Sequence, residues 1–108
     1  MANTFKLKTK ANVGVSTTNV YVVPSATTTV VIGVTLANTS GSSINVGVGV
    51  TRTSTDDVKL MKNVPIPQGS SFEFMAGNKV VLETTDTFTA ESDVSNSLDV
   101  ALTIMEIT

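Results

Sequence analysis

The strongest structural signal in the sequence lies in residues 30–51, which read VVIGVTLANTSGSSINVGVGVT. Apolar residues alternate with small or polar ones on both sides of segment 38–43, and a period of two is typical of half-buried β-strands. The residues expected to share the buried face are Val30, Ile32, Val34 and Leu36 in the first strand and Ile44, Val46, Val48 and Val50 in the second. Because segment 38–43 is rich in turn residues, we interpret the two strands as a hairpin.

The rest of the chain repeats this pattern in shorter segments separated by turn residues. Further strands are predicted at residues 20–23, 58–64, 71–75, 79–83, 87–90 and 98–104. Together with an extended N-terminal segment they give eight or nine strands, and no helix is predicted. Short strands at regular spacing predict an all-β fold, a single small antiparallel β-sandwich of the Ig-like or the jelly-roll type.

The N-terminal segment has its own alternation. Its residues are Phe5, Lys6, Leu7, Lys8, Thr9 and Lys10. In an extended strand this places apolar side chains on one side and lysines on the other. We interpret residues 1–15 as an N-terminal arm or first strand and residues 16–108 as the sandwich domain. The lysine row either protects a sheet edge from stray pairing or binds an acidic partner surface.

Composition favours one β domain that assembles with others. The 108 residues fit a single domain, and the commonest residue types are valine and threonine, which suit strands. A net charge of −2 argues against nucleic-acid binding and against attraction to an anionic membrane. With 41% hydrophobic and only 15% charged residues, we expect some apolar surface to be covered in a homo-oligomer.

The sequence offers no catalytic group of the usual kinds. It contains no histidine and no cysteine, so the commonest general base, metal ligand and thiolate nucleophile are absent. We therefore predict a protein that is not an enzyme, with no catalytic residue and no cofactor.

Loop carboxylates leave calcium as an alternative to ordinary solvated turn residues. Asp56 and Asp57 lie in one predicted loop, and Asp86, Glu91 and Asp93 are expected to cluster near another. Because the calcium-loop spacing D-x-D-x-D-G is absent, no metal site is predicted.

Gly47 and Gly49 alternate with valines in the second strand of the opening stretch. Glycine within a strand often marks the close approach of another backbone. Either a neighbouring subunit lies flat on this glycine face, or the sheet is tightly packed within one chain. Together with Lys6, Lys8 and Lys10, these two glycines are the predicted interface residues.

Two absences bear on location. No apolar run is long enough to span a bilayer, and the first residues lack the apolar centre of a secretion signal. We therefore expect synthesis and assembly in a cytosol.

Four segments resemble small virion structural proteins of marine tailed bacteriophages, especially cyanophages. They are residues 20–29 (VYVVPSATTT) running into 31–33 (VIG) and 36–38 (LAN), 64–71 (VPIPQGSS), 79–86 (KVVLETTD) and the ending from 97–99 (SLD) to 106–108 (EIT). The resemblance covers about residues 20–108 and rests on turns and strands, since no catalytic motif is involved.

The resemblance implies a non-enzymatic virion protein, assembled in the host cytoplasm. Its leading interpretation is a capsid decoration (cement) protein that binds across capsid subunits. The expected partners are the major capsid protein or other virion proteins and further copies of itself, with a trimer favoured. The alternatives are a neck, tail or fibre-associated component and, from a different class, a module that binds carbohydrate on a host surface through the loops at Asp56 and Asp86.

Overall fold

The alternating segments form nine strands in the computed structural model, which describes residues 3–52, 57–74 and 79–108. The strands are β1 (Asn3–Val13), β2 (Thr18–Val22), β3 (Thr28–Asn38), β4 (Ile44–Thr51), β5 (Val58–Ile66), β6 (Ser71–Phe74), β7 (Val80–Leu82), β8 (Thr87–Ser92) and β9 (Leu98–Ile107). The predicted all-β class and strand number are confirmed. The described part of the chain contains no helix able to cross a lipid bilayer.

The strands form two antiparallel sheets, which confirms the sandwich. The five-stranded sheet has the order β1-β9-β3-β6, with β7 also paired to β3, and the four-stranded sheet has the order β2-β8-β4-β5. The first half of the chain thus pairs with the second half in reverse, β1 with β9, β2 with β8, β3 with β6 and β7, and β4 with β5. The paired halves form a long antiparallel ribbon that folds over itself. This places β9 beside β3 and β8 beside β4, which is the topology of a jelly roll.

The predicted hairpin between β3 and β4 is wrong. β3 lies in the five-stranded sheet and β4 in the four-stranded sheet, so the segment between them crosses from one sheet to the other. Asn38 fixes this crossing, because its side-chain amide donates hydrogen bonds to the carbonyls of Ser42 (2.8 Å) and Ile66 (2.9 Å). Alternation identifies a strand's buried face, but it carries no information about which strand lies at each edge.

Facing side chains of the two sheets form one core. The predicted inward residues of β4 are all buried, and so are Leu98, Val100, Leu102 and Ile104 of β9. Phe88 of β8 is the largest fully buried side chain. The period of two therefore predicted these two buried faces correctly.

β3 departs from the prediction because it contains a bulge. Its pairing register with β9 shifts between Val31 and Gly33. A bulge adds a residue and reverses the side on which the following side chains lie. Val31, Val34 and Leu36 are therefore buried, whereas Val30 and Ile32 are only partly buried.

β1 forms one edge of the five-stranded sheet. It pairs with β9 in continuous register from Asn3 to Lys10, and Val13 beyond the register shift is buried in the core. The separation of residues 1–15 from residues 16–108 as distinct units stays a prediction.

Candidate interaction surfaces

The lysines of β1 point toward the interior side of the sandwich. Lys6, Lys8 and Lys10 pair with Ile104, Leu102 and Val100 of β9, whose side chains are all in the core. Residues directly opposite each other in a sheet lie on the same face, so the lysine row lies along the inner rim of the sheet edge. The cationic side predicted for this segment therefore lies inward.

A buried polar network ties Lys6 to the opposite sheet. The Lys6 ammonium lies 2.8 Å from Glu106 Oε1, and the Tyr21 hydroxyl of β2 donates to Glu106 Oε2 at 2.5 Å. Because the phenol has one proton, the Thr29 hydroxyl, 2.8 Å away, donates to the Tyr21 oxygen. The network joins β1, β9 and β3 of the five-stranded sheet to β2 of the four-stranded sheet.

The network shifts the protonation of its members. Hydrogen bonds from Lys6 and then Tyr21 lower the pKa of Glu106 below its ordinary value, and the effect outweighs burial. Burial, followed by the hydrogen bond to Glu106, raises the pKa of Tyr21 to about 12. The carboxylate and the neutral phenol are therefore the forms that the fold stabilises.

The other two lysines of the row are less constrained. The Lys8 ammonium lies 5.9 Å from the centre of the Tyr21 ring, a cation–π distance, and Lys10 is exposed. Their role in binding a partner stays a prediction.

Gly47 and Gly49 lie on the outer side of β4 and are covered by their own chain. A Cβ at Gly49 would lie 2.8 Å from the Val58 carbonyl oxygen, and a Cβ at Gly47 would lie 3.4 Å from Glu91 Cγ. Lys59 and Glu91 form an ion pair of 2.6 Å beside these glycines. The close approach predicted at the glycines is thus made at least by strands β5 and β8, and an interface there stays a prediction.

The loop carboxylates Asp86 and Asp93 are separated from each other, and each is engaged by partners within the chain. Asp86 is buried, lies 3.2 Å from Arg52 Nε and accepts the Glu83 backbone N–H at 3.0 Å. Asp86 thus lies near the end of β4, whereas Asp93 lies near its start. The Asp93 carboxylate accepts the Asn45 backbone N–H at 2.9 Å. Within the described ranges, no three acidic side chains converge as a metal site would require. The predicted grouping of Asp86 with Asp93 is wrong, and Asp56 lies outside the described residues.

The outer face of the five-stranded sheet carries an apolar ridge that sequence reasoning missed. The ridge consists of Phe5, Leu7, Val30, Val81 and Met105. Four of these form one row across the sheet through direct pairing of β1, β9, β3 and β7. Phe5, Leu7 and Val81 are 70%, 64% and 59% exposed. Apolar residues at Phe5 and Leu7 were visible in the sequence, but the row depends on the long-range register and on the bulge in β3.

A shallow trough lies beside the ridge on the same face. Its floor is formed by the small residues Thr9, Thr35, Ala37 and Ala101, and its volume is about 220 Å³. Asp99 lies at its rim and accepts the Asn12 backbone N–H at 3.0 Å. The face therefore has a raised apolar half and a depressed half of small side chains.

The whole chain is similar to subunits of two assemblies. A chain of the acid-stable capsid of Helicobacter pylori bacteriophage KHP30 matches with a TM-score of 0.58 and 14% identity, covering 100% of this chain and 94% of that one. A chain of the Bacillus endospore appendages, a family of disulfide-linked pili, matches with a TM-score of 0.59 and 11% identity, covering 99% and 87%. No protein-family model and no curated protein matches this sequence. Likeness at these identities shows a shared fold.

Proposed function

We propose that this chain is a non-enzymatic structural protein of a bacteriophage particle and that it acts as a capsid decoration protein. The observation that carries the proposal is the end-to-end correspondence of its jelly roll with a chain of a phage capsid. The resemblance of residues 20–108 to virion proteins of tailed phages supports the same class. Only that resemblance supports a marine or cyanophage origin.

The described surface suits binding by shape and burial. Seven large apolar side chains are exposed, and three of them belong to the apolar ridge. The carboxylates and lysines discussed above are largely held in ion pairs and hydrogen bonds within the chain. A protein that binds only the assembled shell stabilises that shell by mass action, and many weak contacts act together through multivalency.

A fibre-associated role is the second candidate, supported by the likeness to the endospore appendages. Those appendages are disulfide-linked, whereas the present sequence contains no cysteine. Any fibre built from these 108 residues would therefore be joined by noncovalent contacts.

Quantitative mass spectrometry of purified particles tests the proposal. We expect this chain at many copies per particle, in a fixed ratio to the major capsid protein, after nuclease treatment and a high-salt wash. A few copies per particle would transfer the proposal to the neck, tail or fibre. Absence from washed particles would contradict a virion role altogether.

A further inference from the structure

We infer that the outer face of the five-stranded sheet is a self-association surface, on which the apolar ridge of one copy packs into the shallow trough of a second copy. The inference does not depend on the proposed virion role. It rests on the arrangement of ridge and trough on one face.

The strand register makes this face self-complementary. A middle row lies between the row of Phe5, Met105, Val30 and Val81 and the trough, and it consists of Leu7, the remaining ridge residue, with Thr103 and Gly33. A two-fold axis lying along this middle row places Met105 of each copy over Ala101 of the other. Each partner thereby offers the same patch, as a two-fold interface requires. Gly33 has no side chain, and an added Cβ would meet no atom within 4 Å, so the β3 end of the middle row is open.

The charge distribution permits a second copy on this face. Lys6 and Lys8 pair with inward residues of β9, and Lys10 lines the far end of the trough together with Asp99, an opposite charge. Of the acidic residues of this face, Asp99 pairs with Ala37 at the far end of the trough, and Glu73 pairs with Thr35 on the edge strand β6, where it would lie opposite Val81 of the other copy. Two copies therefore approach without placing like charges opposite each other at the centre.

The free edge of β1 is a poorer place for a second copy. Antiparallel pairing of two β1 strands would bring two rows of Lys6, Lys8 and Lys10 onto the same face. Inward-pointing charges of this kind are a common device against edge pairing. Association through the face leaves these lysines where they are.

The size of the face fits a weak dimer. Four strands about 4.8 Å apart and nine residues long, with about 3.3 Å per residue, cover roughly 500–600 Å². Two such faces bury roughly 1,100 Å², slightly above the ~1,000 Å² expected of a specific interface. We therefore expect association in the micromolar range or weaker. A face-to-face contact joins two copies, so the trimer implied by the resemblance would need another surface.

Sedimentation equilibrium of the full chain tests the inference. The protein concentration is varied from about 5 µM to about 500 µM, the range in which a dimer with an interface of this size dissociates. We expect a monomer–dimer equilibrium. Phe5→Lys on the ridge and Ala101→Arg in the trough should each raise the dissociation constant of the dimer at least about tenfold, because each substitution buries an unpaired charge. The control is Val22→Lys, which changes an apolar side chain that is 51% exposed on the four-stranded sheet.

Circular dichroism and thermal unfolding verify that all three variants keep the fold. A wild-type chain that stays monomeric throughout would overturn the inference. If the same ridge and trough variants then lost attachment to particles, the face would belong to a virion partner. A dimer insensitive to both variants, or a trimer dissociated by them, would equally contradict the ridge-in-trough contact.

Discussion

Glu106 is a buried carboxylate whose contribution to stability depends on its two partners. Lys6 and Tyr21 each bond one of its oxygens, so removing either leaves a buried charge poorly compensated. Tyr21→Phe should lower the free energy of unfolding by about 1.5–3 kcal/mol, the usual range for hydrogen bonds to charged groups. Urea denaturation at neutral pH measures this change.

The exposed Lys59–Glu91 ion pair provides the matched control. Glu91→Gln should change the free energy of unfolding by only about 0–1 kcal/mol, because solvent screens this pair. Equal effects of the two substitutions would mean that the buried network contributes no more than a surface contact.

The same network predicts how stability varies with pH. The pKa of Glu106 is lowered in the fold, so its contribution is present above the unfolded pKa of about 4.3 and is lost as pH falls through the folded pKa. The pKa of Tyr21 is raised to about 12, so its contribution is present below about pH 10 and is lost as pH rises toward 12.

Urea denaturation across both limbs tests this dependence. Glu106→Gln should flatten the acid limb, although Glu91, whose pKa is also lowered by Lys59, retains part of it. An acid limb of unchanged slope in that variant would show that Glu106 does not titrate as its contacts imply.

At the scale of single strands, two glycines with different surroundings should respond oppositely to a methyl group. Gly49→Ala forces a Cβ to within 2.8 Å of the Val58 carbonyl and should destabilise the fold by about 1–3 kcal/mol. Gly33→Ala meets no atom within 4 Å and should leave stability unchanged or raise it by up to about 1 kcal/mol. Thermal unfolding at low concentration compares them, and a neutral Gly49→Ala would refute the tight packing over β4.

The edge strand β1 gives a further prediction. Lys8→Thr combined with Lys10→Thr should promote edge-to-edge aggregation, because threonine suits a strand and the inward charges are lost. Lys6 is kept so that Glu106 retains its partner. Light scattering over time measures aggregation, with Lys79→Thr, outside any strand, as the control. Aggregation no faster than in the control would show that the lysines do not protect this edge.

The positions of the strands were predictable, because alternation is a property of neighbouring residues. The pairing of the strands was not, because it joins distant parts of the chain. The buried faces of β4 and β9 follow from the period of two. The crossing at Asn38 and the bulge in β3 depend on contacts between distant parts of the chain, so the hairpin and the position of Val30 were predicted wrongly. The same long-range register places the ridge and the trough on one face, which explains why both escaped sequence reasoning.

At the scale of the whole molecule, the winding leaves two kinds of surface. The β1 edge carries lysines that oppose pairing, and the adjacent sheet face carries an exposed apolar ridge beside a trough where its acidic residues lie. Such an exposed apolar face is the surface that the proposed self-association would cover. The chain shares its fold with a phage capsid chain and with a pilus chain.

Electron cryo-microscopy of the phage particle proposed to carry this chain tests the central claim most directly. The account predicts density for this jelly roll repeated over the outside of the shell, at joints between capsid subunits. Density confined to the portal vertex or tail would contradict the decoration role. A shell and tail fully explained by other proteins, with no density for this fold, would contradict the virion role itself.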